Sequence, residues 1–245
     1  MEQGGNTRQV HQAYGSGKRS LLRYVAIGVL AAALVFSFGT AYATRLIATP
    51  YADTLPEGKT SVWQFFLRES RSTNEWRTLN RLDLGLTDRL ELGIFVISPP
   101  KAPVDTWVNL QYRINKETKH LPVFSVGVWD ATRIKSFSGQ QTGGSFFIAA
   151  GKTFNIGRQS SRYLKLSLGG GTNRLDGLFG GADLRFAKNT GILVEYVPPN
   201  LRLPNTDSMD VGLYHWISPQ WRVRASWMGG NPMFDVFYTW TIGKK

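Results

Sequence analysis

Beyond about residue 60 the apolar side chains of this chain fall on alternate positions. In NRLDLGLTDRLELGIFV, residues 80 to 96, Leu82, Leu84 and Leu86 precede Thr87, Asp88 and Arg89, and Leu90, Leu92, Ile94 and Val96 follow. A period of two is the strand period, whereas at helical spacing these side chains would scatter around the axis. A three-residue loop sets Leu86 opposite Leu90, Leu84 opposite Leu92 and Leu82 opposite Ile94, so the aliphatics share one face. Arg81, Asp83 and Glu91 take the other.

The pattern recurs. TWVNLQYRIN puts Val108, Leu110, Tyr112 and Ile114 against Asn109, Gln111, Arg113 and Asn115, and YLKLSLGGG puts Leu164, Leu166 and Leu168 against Lys165 and Ser167. LFGGADLRF opposes Ala182, Leu184 and Phe186 to Asp183 and Arg185, and GILVEYV continues with Ile192, Val194 and Tyr196 against Glu195. MDVGLYHWISPQWRVRASW repeats the hairpin around Ser218-Pro219-Gln220, which sets Leu213 opposite Ala225 and places Tyr214 and Trp216 with Arg224 and Arg222. Counted from Ser61–Leu67, about twelve strands are predicted, and no amphipathic helix is predicted after residue 44. Chained hairpins form an up-and-down meander, and closure removes the edges an open sheet of that size would expose. The fold expected is all-β: a closed up-and-down antiparallel transmembrane β-barrel of about 12 strands, preceded by an N-terminal signal or anchor helix. Residues 131–144, 155–161, 169–177 and 198–208 are the longer connections expected.

Alternation alone serves two architectures, a soluble barrel with apolar filling and a membrane barrel with lipid outside and water within. The N-terminus weighs toward the second. Lys18, Arg19 and Arg23 precede an apolar run from Val25 to Phe38 and then Ala41-Tyr42-Ala43, the order of a secretory signal. An uncleaved anchor is the alternative. The expected organisation is a signal peptide or anchor with a basic leader at 1–43, a linker at 44–59 and an outer-membrane barrel at 60–245. Trp107, Trp129, Trp216, Trp221 and Trp240 lie near strand ends, where interfacial aromatic girdles are expected. With lipid outside, Asn109, Gln111, Arg113, Asp183, Arg185, Glu195, Arg222 and Arg224 are the lumen-facing candidates.

Composition narrows the chemistry. The absence of cysteine excludes a disulfide framework and a Cys-based zinc site. The net charge of +12 suits anionic head groups or acidic polysaccharide, and an exported chain is not expected to meet nucleic acid. Partners expected are the outer-membrane bilayer, acidic polysaccharide and envelope export proteins. Of three histidines, His11 lies in the leader, His215 on the apolar face and His120 in a turn, so none is placed as a catalytic base. GSGKRS, residues 15 to 20, lacks the spacing of a phosphate loop. Asp183 and Glu195 are expected roughly opposite each other; a glycosidase pair would need such carboxylates, but a lumen salt-bridge cluster with Arg185 is the preferred reading. Catalytic residues, metal ligands and cofactors are therefore all expected to be none. Rings of basic side chains favour anions, which makes a narrow anion-favouring pore one reading of the arginines and simple filling of a narrow lumen the other. An exported soluble or peripheral barrel binding a lipid-like ligand is the alternative from a different class.

At DLGLTDRLELGIFV, GLFGGADLRFAKNTGILVEYVPP and DVGLYHWISPQWRVRASWMGGNPMFDVFYTWTI the chain resembles the YjbH-type outer-membrane β-barrel proteins. The resemblance implies a non-enzymatic barrel associated with exopolysaccharide export or surface presentation.

Overall fold

The computed structural model describes residues 46–68, 75–98, 103–131, 144–157, 161–198, 200 and 208–242; the signal or anchor expected at 1–43 lies outside them. Among the described residues twelve strands run β1 (Lys59–Arg68), β2 (Trp76–Gly85), β3 (Leu90–Ser98), β4 (Asp105–Arg113), β5 (Val123–Trp129), β6 (Ser145–Asn155), β7 (Tyr163–Gly171), β8 (Gly177–Arg185), β9 (Thr190–Tyr196), β10 (Met209–Trp216), β11 (Trp221–Met228) and β12 (Asn231–Thr241). Each pairs with its sequence neighbours, and β1 pairs with β12 from Lys59 opposite Thr241 to Leu67 opposite Met233, which closes the barrel. Closure gives every strand a partner on both sides.

Hairpin registers follow the alternation. Leu84 faces Leu92 and Leu82 faces Ile94; Leu213 faces Ala225 and Val211 faces Trp227. Two expectations change. Asp183 pairs with Leu193 and Glu195 with Gly181, so the two carboxylates are offset by two residues along the hairpin instead of lying opposite each other. Gly169, Gly170 and Gly171 are not part of a connection: they pair with Ala149, Ile148 and Phe147, and only residues 172–176, with a single 3-10 turn at Asn173–Leu175, join β7 to β8.

The two faces of the wall differ sharply. Leu110, Leu166, Leu168, Leu178 and Leu213 are all exposed on the outer face, whereas Asp83, Glu195 and Asp235 on the inner face are buried. The interior is nevertheless not purely polar. Trp63, Phe65, Phe237 and Trp216 cluster within one side, and Trp129, Phe147, Phe179 and Leu175 within the other. Trp107, Trp129 and Trp216 therefore depart from the expected girdle: they share strand parity with Asn109, Ser125 and Tyr214, which turn inward, and parity outweighs position near a strand end.

The rings on the second side fit because the wall opposite them is bare. A Cβ on Gly127 would lie 2.4 Å from the Phe147 ring, and one on Gly169 would lie 2.3 Å from the Phe179 ring. Gly169→Ala is expected to lose about 1–3 kcal/mol through overpacking, read as a lower urea midpoint in detergent micelles. Adding Phe179→Leu is expected to return part of it.

Candidate functional site

The interior holds a stretch of the chain itself. The region 44–59, expected as a linker, is not an exposed one in its described part: from Leu46 to Leu55, immediately before β1, it is packed inside the wall, with Leu46, Thr49, Tyr51, Ala52 and Leu55 all buried. Pro50 and Pro56 and the lack of any apolar period keep it from joining the sheet as a strand. An extended peptide so placed has backbone N–H and C=O groups that need partners away from water. The wall supplies them from side chains.

Glu195 in β9 meets one end. Its Oε2 accepts the N–H groups of Ile47 and Ala48, both at 2.8 Å, and its Oε1 accepts that of Thr49. Arg224 in β11 donates from Nη1 to the Leu46 carbonyl at 2.6 Å. Midway, Gln111 in β4 donates from Nε2 to the carbonyls of Tyr51 at 2.7 Å and Asp53 at 3.0 Å. Lys165 in β7 pairs with the Asp53 carboxylate and lies 4.8 Å over the Tyr51 ring. Near β1, Glu91 accepts the Leu55 N–H at 2.8 Å. The Tyr51 hydroxyl donates to Asp183 Oδ2 at 3.2 Å, and the same carboxylate receives Tyr163 at 3.2 Å and Tyr214 at 2.8 Å. Charge-assisted bonds of this kind are the stronger class.

A second network ties wall to wall. Arg224 Nε meets Asp235 Oδ2 at 2.5 Å with both side chains fully buried; Arg81 meets Asp83 at 2.5 Å and Glu91 at 3.4 Å. Arg222 is different: its guanidinium lies 4.7 Å from the Trp63 ring, 5.2 Å from Phe237 and 5.5 Å from both Tyr214 and Trp216, while its Nε and Nη2 have no hydrogen-bond partner. Cation–π contact is what holds this cation.

The eight lumen-facing candidates thus divide. Gln111, Glu195 and Arg224 hold the insert directly and Asp183 holds it through Tyr51. Arg185 stacks on Tyr163 at 5.6 Å, and Arg113 donates to the Asp88 carbonyl in the β2–β3 turn. Asn109 accepts the Asp130 N–H at the far end of the barrel, and Arg222 sits among aromatics. Sequence reasoning missed Glu91, Lys165, Tyr51 and Tyr214 as parts of one assembly. Parity places the three wall residues inside, but nothing periodic marks the insert they meet. His215 lies on the outer face beside Thr190, 2.9 Å from its hydroxyl, and His120 is exposed. Among the described residues no group of three or more His, Asp or Glu is arranged to hold a metal ion.

At the end of the barrel away from Lys59, the 172–176 turn folds over the interior. Leu175 is fully buried, and Arg174 lies 4.3 Å from the Trp107 ring and 3.7 Å from Asp130, which follows β5. Trp107 donates to Asp105 at 2.6 Å. Loss of water around Asp130 raises its carboxyl from 3.8 to about 6; Arg174 opposes the shift and Asp105 adds to it.

No family model and no curated protein matches this chain. Among solved structures it is similar to an outer membrane channel from Pseudomonas putida F1, with 11% identity over 77% of this chain and 97% of that one and a TM-score of 0.40. It is also similar to the N-terminal β-barrel domain of Pseudomonas aeruginosa OprF, with 10% identity over 76% of this chain and all of that one and a TM-score of 0.25.

Two outcomes are expected. Arg224→Met leaves Asp235 buried without its partner and is expected to cost about 3–5 kcal/mol in denaturant unfolding, with most of the loss returned by Arg224→Met combined with Asp235→Leu. Asp130 binds its proton more tightly in the folded chain, so its contribution is present below 3.8 and is lost as pH rises toward about 6. Asp130→Asn is expected to flatten the fall in melting temperature across that window.

Proposed function

We propose that this chain is a non-enzymatic outer-membrane β-barrel whose interior is sealed by its own N-terminal insert, and that it serves exopolysaccharide export or surface presentation as an accessory component. The observation that carries the membrane reading is the outer face. Leu168 is 60% exposed, Leu178 67%, Phe146 64% and Leu213 54%, around a wall whose inner face buries its carboxylates. Water tolerates no apolar belt of that extent on an isolated soluble protein, and hydrocarbon favours it.

Two outward aromatic groups frame the belt. Trp221, Tyr238 and Trp240 stack at the end that holds Lys59, with centroids 4.5 and 5.5 Å apart, and Trp76 stacks on Phe234 at 6.3 Å toward the other end, where Trp227 also faces out. Amphipathic rings favour the head-group level. Eight of the twelve described strands run 9 to 11 residues, the length of a tilted crossing of about 9–11 residues. No helix of the described residues is long and apolar enough to cross a membrane. A soluble lipid carrier needs the opposite arrangement, with its apolar side chains inward.

An accessory role agrees with the interior. Among the described residues the insert, two aromatic clusters and the Arg174–Leu175 turn all pack within the wall, an interior that suits filling better than passage of a polymer chain. The process itself, exopolysaccharide export, comes from the YjbH-type resemblance.

In washed envelopes the protein is expected to stay with the membrane through alkaline carbonate and to leave only with detergent; release by salt alone would overturn the membrane reading. Leu110→Arg, at the middle of β4, is expected to lower stability in phospholipid vesicles by about 2–4 kcal/mol.

A further inference from the structure

The wall of the barrel is complete without the insert. Every pair of named strands, the β1–β12 seam included, joins residues from 59 onward, so the insert can leave with these ladders intact, at the loss of an isolated bridge at Pro50. The wall also makes room for it. A Cβ on Gly85 would lie 2.0 Å from the Pro56 carbonyl oxygen; one on Gly181 would lie 3.0 Å from Leu46 Cδ1 and 2.2 Å from the Val194 carbonyl of the next strand, and one on Gly151 would make ordinary contact with the Ala52 Cβ at 3.5 Å.

The insert joins β1 through Glu57 and Gly58, and Gly58 has φ +70°, a backbone setting that glycine adopts freely. The insert is gripped by charged and amide side chains, which water can solvate once it departs, and by the packing of Leu46, Ile47 and Tyr51 in the cluster of Trp63, Phe65 and Phe237. Its Ala52 packs in the same cluster as Leu175 of the turn that covers the opposite end, so its departure removes support from that cover.

Resting on the membrane reading above, we propose that the insert is a gate: swung out about Gly58, it turns the sealed barrel into a narrow pore for small hydrated ions, with a preference for cations. The preference follows from which charges are released. Arg224 stays paired with Asp235, Arg81 with Asp83, and Arg222 with its aromatic cage. Withdrawal takes a partner from Glu195, Asp183 and Glu91 and, on the positive side, from Lys165 and from one N–H of Arg224, which keeps its carboxylate Asp235. This reverses the anion preference that the number of arginines suggests.

The test uses planar bilayers in a potassium chloride gradient. Gln111→Ala removes two bonds to the insert while keeping the wall charges, and it is expected to raise the open fraction about tenfold over the native barrel, with a cation-selective reversal potential. The native chain has no cysteine, and the 3.5 Å spacing at Ala52 and Gly151 suits a disulfide. Gln111→Ala combined with Ala52→Cys and Gly151→Cys is expected to fall silent when oxidised and to conduct again when reduced. Lys165→Met supplies a second weakened grip should Gln111→Ala not fold. Folding is checked by heat-modified mobility and membrane integration by vesicle flotation, so loss of flotation overturns the membrane reading separately. Folded, floated variants that stay silent, that conduct equally when oxidised, or that select anions overturn the gate as stated.

Discussion

A peptide enclosed away from bulk water must have each of its N–H and C=O groups met, and in this barrel that requirement decides what the inner wall contains. Glu195 takes three consecutive amide protons, Gln111 bridges two carbonyls, Glu91 takes a further amide, and Arg224 reaches the carbonyl of Leu46. Each of these side chains is buried at a cost that only its hydrogen bonds offset. Four of the polar residues that look pore-lining in the sequence, Gln111, Asp183, Glu195 and Arg224, are the receptor of an extended segment.

Strand parity distributes everything else. Because the pleat turns successive side chains to opposite faces, one register places Leu164, Leu166 and Leu168 outside and Tyr163, Lys165 and Ser167 within. The same rule fills the interior with rings. Trp63, Phe237 and Trp216 pack against one another and around Arg222, which takes cation–π contacts where the other buried arginines, Arg81 and Arg224, have carboxylates. Inner glycines such as Gly127 and Gly169 are as much a part of that packing as the rings, since bulk on one strand is matched by its absence on the next.

The barrel was legible because its signal is local: two hairpins, at Leu82 to Val96 and Val211 to Trp227, state their register within some twenty residues of sequence, and the structure keeps it. Trp107, Trp129 and Trp216 were also legible by parity, and reading them as girdle residues gave strand-end position too much weight. The insert was not legible. Its partners lie as far as 178 residues away, they bind its backbone and so leave no mark on its side-chain pattern, and two prolines give it the appearance of a connection. The offset between Asp183 and Glu195 depends on where the β8–β9 turn closes, which alternation leaves free by steps of two.

Which face of the wall meets hydrocarbon decides whether this barrel spans a membrane. Nitroxide labels on single cysteines at 110, 166 and 213 in vesicle-embedded protein measure this through their relative collision rates with oxygen and with a water-soluble nickel complex. All three labels are expected to meet oxygen and to be shielded from nickel, deepest near the middle of each strand. Free access of nickel to the three labels in folded, membrane-embedded protein would contradict the lipid-facing reading.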